Sequence, residues 1–390
     1  MSVSPSVALP AARGEHVTMH VAFELSKMKW KIGIVAPGSS KMSRFTVAGG
    51  DRVGLAMLLA RKQGEAAARC GRPVRIVSCY EAGYDGFWLH RWLGEHGVEN
   101  HVLDPASIEV ERRHRRAKTD RIDLDKLMRV LLALCRGEPR VCSVVRVPSV
   151  EEEDAKRRNR ERERLIRERT AHVNRIKALL HGQGIRDVKP LAKSFATQLA
   201  VRHTGDGHDL PPLLAAEIAR EHTRLRLIVE QIGVIETESR QALHKAPAHA
   251  TAAARARQLN RLVGIGMAGA QTLANEVYYR AFANRRQVGG YTGLTGTPYD
   301  SGETRREQGI SKAGNPRARA ILIELAWLWL RLQPDSALTR WFKERVGNGK
   351  GRIAKIAIVA LARKLAVALW RYLETGLVPT GARLRAGVAG

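Results

Sequence analysis

Four carboxylates are spaced so that they can serve chemistry at phosphorus. Glu24 falls on the polar face of a stretch in which Val17, Met19, Val21, Phe23 and Leu25 alternate with Thr18, His20 and Ala22. Glu81 follows the apolar run Val74–Cys79 almost directly. Asp120 and Asp123 are three residues apart at the start of a helical pattern, so they share a face. Carboxylates that converge repel one another and call for cations. Hard oxygen ligands with open water positions suit Mg²⁺ or Mn²⁺. Two such ions about 4 Å apart stabilise the attacking and leaving oxygens of an in-line displacement. The chemistry would be cutting or joining a phosphodiester backbone. Each residue alone also reads as ordinary surface. Lys118, Arg121 and Lys126 are near enough in sequence to pair with Asp120 and Asp123, and Asp120 also suits the positive end of a helix dipole. Asp125 points elsewhere on the same helix.

The elements that must position these acids follow from hydrophobic period. Residues 17–25 and Lys29–Ala36 alternate with period two and predict strands, with a third over Ser43–Val47. Their close spacing predicts an antiparallel meander. Asp51–Arg69 predicts a helix, Val74–Cys79 a strand, Tyr84–His96 a helix, Val98–Leu103 a strand and Thr119–Leu134 a helix, with Thr119 as a candidate N-cap. Three strands, helix, strand, helix, strand and helix make an α/β domain with a mixed sheet. This is the element order expected of a ribonuclease-H-like fold. In such a sheet the first strand, the end of the fourth strand and the last helix meet at one spot.

Composition narrows the partner. The 390 residues carry 66 Lys and Arg against 38 Asp and Glu, a formal net charge of +28. That surplus argues against an ordinary metabolic enzyme and makes a polyanion, above all nucleic acid, the expected partner. Aromatics are only 5% of the chain, which disfavours binding of single strands by base stacking. No run of about 20 residues is apolar and free of charge, so no membrane span is expected. Residues 1–16 look like a disordered leader and lack the pattern of a signal peptide, which predicts a cytoplasmic protein. Cys70, Cys79, Cys135 and Cys142 form no C-x-x-C pair, as expected for reduced thiols without zinc.

The pattern changes near residue 150. In Glu151–Thr170, 15 of 20 residues are charged with mixed sign, which predicts a long solvated helix. Ile166, Val173, Ile176 and Leu180 follow at coiled-coil spacing, as do Ile218, Leu225, Ile228, Ile232 and Ile235. Residues 149–250 therefore predict a helical hairpin or coiled coil, packing within one chain or between two. Leu262–Ala270 (LVGIGMAGA) reads equally as a helix–hairpin–helix turn that offers backbone N–H groups to phosphate, or as a close helix-packing turn. Residues 289–315 predict a long functional loop. Pro316–Gln333, Ser336–Val346 and Arg352–Thr375 predict three helices, and the chain beyond Gly376 a frayed tail.

Several blocks resemble one family in order. YEAGYDGFWLHR, DPASIEVERRHRRAKTDRIDLDKL, EPRVCSVVRVPSVEEEDAKRRNRERERL, GLTGTPYDSG, GISKAGNPRARA and IELAWLWLRLQPDSALTRWF look like the DEDD-type transposases of insertion sequences, the bridge-RNA-guided recombinases. The similarity runs from about His20 to Pro379. It implies an N-terminal RuvC-like ribonuclease-H domain (17–148), a helical coiled-coil insert (149–250), a mostly helical C-terminal transposase domain (251–380) and a tail (381–390). It implies that Glu24, Glu81, Asp120 and Asp123 are metal ligands. The family's first acid is Asp, whereas FELSK supplies Glu24, whose extra methylene shifts the carboxylate by about 1.5 Å. The match further implies that Ser301, in Tyr299-Asp300-Ser301-Gly302, is a nucleophile on DNA, with Ser311 as a rival and Arg305, Arg306 and Lys312 as stabilisers of phosphate charge. Double-stranded donor and target DNA, a structured noncoding RNA, a dimer or tetramer and a place at the bacterial nucleoid are implied with it. Two other readings compete: a Holliday-junction-type nuclease that never uses Ser301, and a non-catalytic nucleic-acid-binding protein.

Overall fold

β1 (Val17–Leu25) is the middle of a five-stranded sheet, and its alternation is apolar on both faces: Met19, Val21 and Phe23 one way, Ala22 the other. A strand covered on both sides reads this way. The computed structural model describes residues 16–108, 120–139, 141–247, 251–301, 304–347, 349 and 351–385, with backbone alone at 120, 121, 299–301 and 304–308. Of the expected leader, 1–16, residues 1–15 lie outside the described residues. The chain divides into two units, Met1–Pro148 and Ser149–Gly390.

In the first unit β2 (Lys29–Val35) and β3 (Met42–Ala48) follow β1 as an antiparallel meander. β4 (Val74–Glu81) and β5 (Val98–Leu103) add in parallel, giving the order β3-β2-β1-β4-β5. A parallel pair needs a crossover, and α1 (Arg52–Cys70) supplies the one from the meander to β4. Asp51 caps α1, its Oδ1 accepting from the Gly54 amide at 2.8 Å, and Gly71 ends it at φ 61°. α2 (Trp88–Glu95) is shorter than the pattern predicts. Residues 83–86 form a tight turn instead, with Gly86 at φ 66°, which strips the first turn from the expected helix. Leu55, Leu58 and Leu59 of α1 and Leu89 and Leu93 of α2 cover the Val21–Phe23 face. Leu124, Leu127, Met128 and Leu131 of α3 (Asp120–Cys135) cover the Ala22–Cys79 face. Each fully buried leucine contributes about 1.5–3 kcal/mol. This is the mixed five-strand sheet of a ribonuclease-H-like domain, as the element order predicts.

The second unit starts with α4 (Val150–Asp154), closed by a Ser149–Glu152 capping box. The single charged helix expected over 151–170 is broken after Asp154. α5 (Arg157–His181) continues it, and α6 (Phe195–Ala200) bridges to α7 (Pro212–Lys245). α5 and α7 pack side by side as a helical hairpin. The buried α7 seam holds Ile218, Leu225, Ile228, Ile232 and Ile235, with Glu221, Ser239 and Leu243 on the same line. On α5 the seam includes Leu165 beside Ile176 and Leu180, while Ile166 and Val173 sit at its edge.

The rest is a helical body. α8 (Thr251–Asn260) and α9 (Met267–Glu276) flank a turn with Gly264 at φ 91°. Gly269 lets α9 lie against Leu325 of α11 (Pro316–Leu332). α12 (Ala337–Val346) and α13 (Arg352–Thr375) complete it, with Leu361, Leu365 and Leu369 of α13 in the core. The long loop expected over 289–315 is instead the end of α10 (Arg285–Thr292) and a β-hairpin, β6 (Gly296–Ser301) and β7 (Thr304–Ile310). Glycines 289 and 290 lie inside α10, where low helix propensity hid them. Asn284 caps that helix, its Oδ1 accepting from the amides of Arg286 and Gln287. The expected fraying after Gly376 is also corrected over 382–385. Arg383 N donates to Gln333 Oε1 at 2.8 Å, and Leu384 bridges to Leu262.

Candidate active sites

The acidic site is built by strand register. Phe23 of β1 pairs with Tyr80 of β4 in parallel. The paired register ends there, and Glu24 and Glu81 are the next residues of the two neighbouring strands, whose usual spacing is about 4.8 Å. Period two sends both to the face of Ala22 and Cys79, the face that α3 covers. Both are half-buried. β2 sets Lys31 directly opposite Glu24, an ammonium beside the acidic edge that the sequence pattern did not mark. The signal was there in hairpin form, since a meander register that pairs Phe23 with Ile32 fixes Glu24 against Lys31.

α3 crosses the same face. A Cβ on Gly33 of β2 would lie 3.3 Å from Leu124 Cγ, so the helix rests on a glycine. The Cys79 thiol donates to the Leu127 carbonyl at 3.6 Å. Burial pushes the Cys79 thiol well up, so it stays neutral under the helix. Asp123 is half-buried one turn before Leu127, and Asp125 turns away to Arg44 of β3 at 2.5 Å, as its position on the helix predicts. Asp120 begins the helix, and its side chain lies outside the described residues. Thus the fold brings Glu24 and Glu81 side by side and sets Asp123 on the helix that packs over them. Among the described residues no three acidic, His or Cys side chains form a closed metal-binding group. The donor chemistry, carboxylate oxygens at the ends of parallel strands, fits a hard divalent cation. Asp85, in the turn after Glu81, is a further acid here. Burial raises its carboxyl above the ordinary aspartate value.

The second candidate is the β6–β7 hairpin. Ser301 is the last residue of β6 and pairs with Thr304, so it stands at the tip. Asp300 pairs with Arg305 and Tyr299 with Arg306, placing both arginines in register with its neighbours. Ser311 is at the other end. Its amide donates to Thr295 O at 2.8 Å and closes the root of the hairpin. Thr297 Oγ1 donates to Gly309 O at 3.0 Å, and Lys312, a non-glycine residue with positive φ (56°), is held by Arg319 at its carbonyl.

Residues 25–184 match a family profile described as Transposase, of the DEDD type found in the IS110 group. Residues 256–340 match one described as Transposase IS116/IS110/IS902 family. A protein of Sinorhizobium fredii named "Putative transposase y4rJ" is 49% identical over 372 residues, covering 94% of each chain. The "Transposase for insertion sequence element IS1111A" of Coxiella burnetii is 26% identical, covering 77% of this chain and 78% of its own. That of IS1328 from Yersinia enterocolitica is 29% identical, covering 63% and 71%. No helix among the described residues is long and apolar enough to cross a membrane. The chain belongs to the IS110 family of insertion-sequence transposases: a DNA-acting enzyme with a DEDD nuclease domain ahead of a mostly helical region.

Proposed function

We propose that this transposase cuts and rejoins DNA through Ser301, with Glu24, Glu81, Asp120 and Asp123 holding Mg²⁺ or Mn²⁺. The observation that supports the acidic half is the register that sets Glu24 beside Glu81 on the α3 face. Bound there, divalent ions would supply positive charge for phosphodiester chemistry. The chain's own groups do the rest. The Ser301 oxygen forms a bond to phosphorus as the bond to the 3′ oxygen breaks. The serine proton leaves to a base, and the departing oxygen takes up a proton, leaving a phosphoserine link and a free 3′-hydroxyl. Arg305, Arg306 and Lys312 attract the phosphate charge that grows in this step. Reversal onto a second strand reseals the backbone without an external energy source.

The net charge of +28 supports duplex DNA as substrate, held by phosphate contacts that carry no sequence information. A structured noncoding RNA that pairs with donor and target would supply the missing sequence selection. Synapsis of two duplexes calls for a dimer or tetramer, and a bacterial cytoplasmic location follows from the substrate.

The test is trapping of a protein–DNA adduct on a plasmid carrying the ends of the element, with sequencing of co-purifying RNA. Ser301→Ala should abolish the adduct while Ser311→Ala retains it. Strand cleavage that persists in Ser301→Ala without any adduct would favour a hydrolytic junction nuclease. Absence of any cleavage or adduct, with DNA binding unchanged by Asp120→Ala and by chelation, would favour a non-catalytic binder.

A further inference from the structure

Glu276, the last residue of α9, is 1% exposed and plays no part in the chemistry above. Its carboxylate takes a two-pronged contact from Arg160 of α5, Nε to Oε1 at 2.7 Å and Nη2 to Oε2 at 3.1 Å. Asn315 Nδ2 donates to its Oε2 at 3.0 Å and reaches its carbonyl at 3.2 Å. The Tyr291 hydroxyl of α10 donates to the same carbonyl at 2.9 Å. Three other segments of the chain therefore meet on one residue.

Asn315 makes this junction matter. Its Oδ1 accepts from the amides of Arg317 and Ala318 and caps α11, while its Nδ2 holds Glu276. Its own amide donates to Tyr291 O at 2.8 Å. The four residues before it, 311–314, are the strap that closes the root of the β6–β7 hairpin. Side chains at Gly293 or Gly314 would collide with this strap or its partner backbone. On the α5 side the tie is repeated. Lys156, 6% exposed, lies 3.8 Å over the Tyr279 ring, Asn275 donates to Ala155 O at 3.1 Å, and Glu163 accepts from Arg317 at 2.9 Å.

A buried ion pair gains little over apolar packing of the same volume, so fold stability alone does not call for one here. What a fork-to-fork contact does supply is a fixed angle. β6 has six residues and spans about 20 Å from root to tip. A tilt of about 3° at the root moves the tip by about 1 Å, and a displacement of that size at a reacting group can cost about a hundredfold in rate.

We propose that Glu276, clamped by Arg160 and Asn315, is a positioning residue that locks the serine-bearing hairpin to the base of the α5–α7 helical hairpin. The inference rests on reading Ser301 as the nucleophile. Through this lock the long helical hairpin and the tip of β6 move as one piece.

The test uses the full-length protein with its co-purifying RNA and a plasmid bearing the element ends, and compares Glu276→Gln, Arg160→Met and Arg160→Lys. Adduct formation should slow at least tenfold in Glu276→Gln and Arg160→Met, DNA affinity should stay within threefold, and Arg160→Lys should recover part of the rate. Amide exchange over 311–315 should quicken at least tenfold in the two disruptive variants, with β1 unchanged. That second readout does not involve Ser301, so it judges the lock even if Ser301→Ala leaves the adduct intact and the nucleophile reading fails. Unchanged exchange over 311–315, or adduct rates that track only the melting temperature, would overturn the proposal. If Glu276→Gln fails to fold, Arg160→Met carries both readouts, since that side chain is 43% exposed.

Discussion

In the first unit, Glu24 and Glu81 sit where two parallel strands end, half-buried on the face that α3 covers. In the second, Glu221 and Glu276 are buried in the midst of packed helices, at 4% and 1% exposure. Glu221 is held by His172 and Arg175 of α5 and by Arg224 of its own helix, and Glu276 by Arg160 and Asn315. Burial pushes both carboxyls up, but their hydrogen-bond partners win and hold them below the ordinary glutamate value. The difference teaches how exposure to solvent sorts carboxylates. At a strand end the backbone ladder stops and the side chain borders solvent, so a cation from solution can reach it. Inside a helical seam the oxygens are closed off from water and locked onto donors of neighbouring helices, so the charge becomes a joint.

The largest effect that would sharpen this contrast is catalytic. Asp123→Ala should lower adduct formation by about a thousandfold, on the order of 4 kcal/mol in the barrier. Its melting temperature should stay within a few degrees of the parent, measured by calorimetry. A loss of activity that merely follows unfolding would break the contrast.

Next is the packing beneath the acids. Leu124 is 1% exposed between α3 and the sheet, and Leu124→Ala should cost about 3 kcal/mol in urea unfolding of the first unit. Activity should fall further than stability, because the helix that carries Asp123 loses its seat. Glu221→Ala should cost less, about 1–2 kcal/mol, since its arginine partners are more than half exposed and can recover water. Catalysis per folded molecule should be unaffected.

Acid should separate the buried glutamates from the histidines of the two units. A carboxyl held below its unfolded value adds stability above that value and loses it as pH falls through the folded one. Glu221, facing His172, Arg175 and Arg224, and Glu276, facing Arg160, Lys156, Tyr291 and Asn315, therefore give up their contribution only below pH 4.5. His20, lowered by burial and then by Arg75, and His90 and His222, both lowered first by burial, weaken the fold earlier, below pH 6.5. Amide exchange against pH should show loosening near β1 and α2 begin at the higher pH, with α9 and the start of α11 holding until the lower one. The smallest effect belongs to Arg44→Ala. Its pair with Asp125 is about 40% exposed on both sides and should contribute less than about 1 kcal/mol.

Much of the first unit was legible because its signals are local. Two-residue alternation marked β1 and β2, and the breaks between apolar runs marked the meander and the crossovers. The acids were visible as polar residues at the ends of apolar strands. The α7 seam was legible through the spacings of three and four that link Leu225, Ile228, Ile232 and Ile235. What was missed has a common cause. The β6–β7 hairpin alternates polar with polar, so period carries no hydrophobic contrast, and α10 holds two glycines that only its cap and its neighbours offset. Glu221 lies on the α7 seam but interrupts its apolar repeat, and nothing in the sequence names its partners. Glu276 closes an ordinary short helix, 116 residues from the arginine that clamps it.

By itself the sequence determined a basic chain with a mixed sheet followed by helices, because composition and hydrophobic period act over a few residues at a time. Tertiary structure alone decided which charges meet. Glu24 beside Glu81 needs the parallel pairing of strands that are far apart in the chain, and Glu276 with Arg160 and Asn315 needs three helices packed at once. Such contacts depend on register and crossing geometry, which no local window of residues contains.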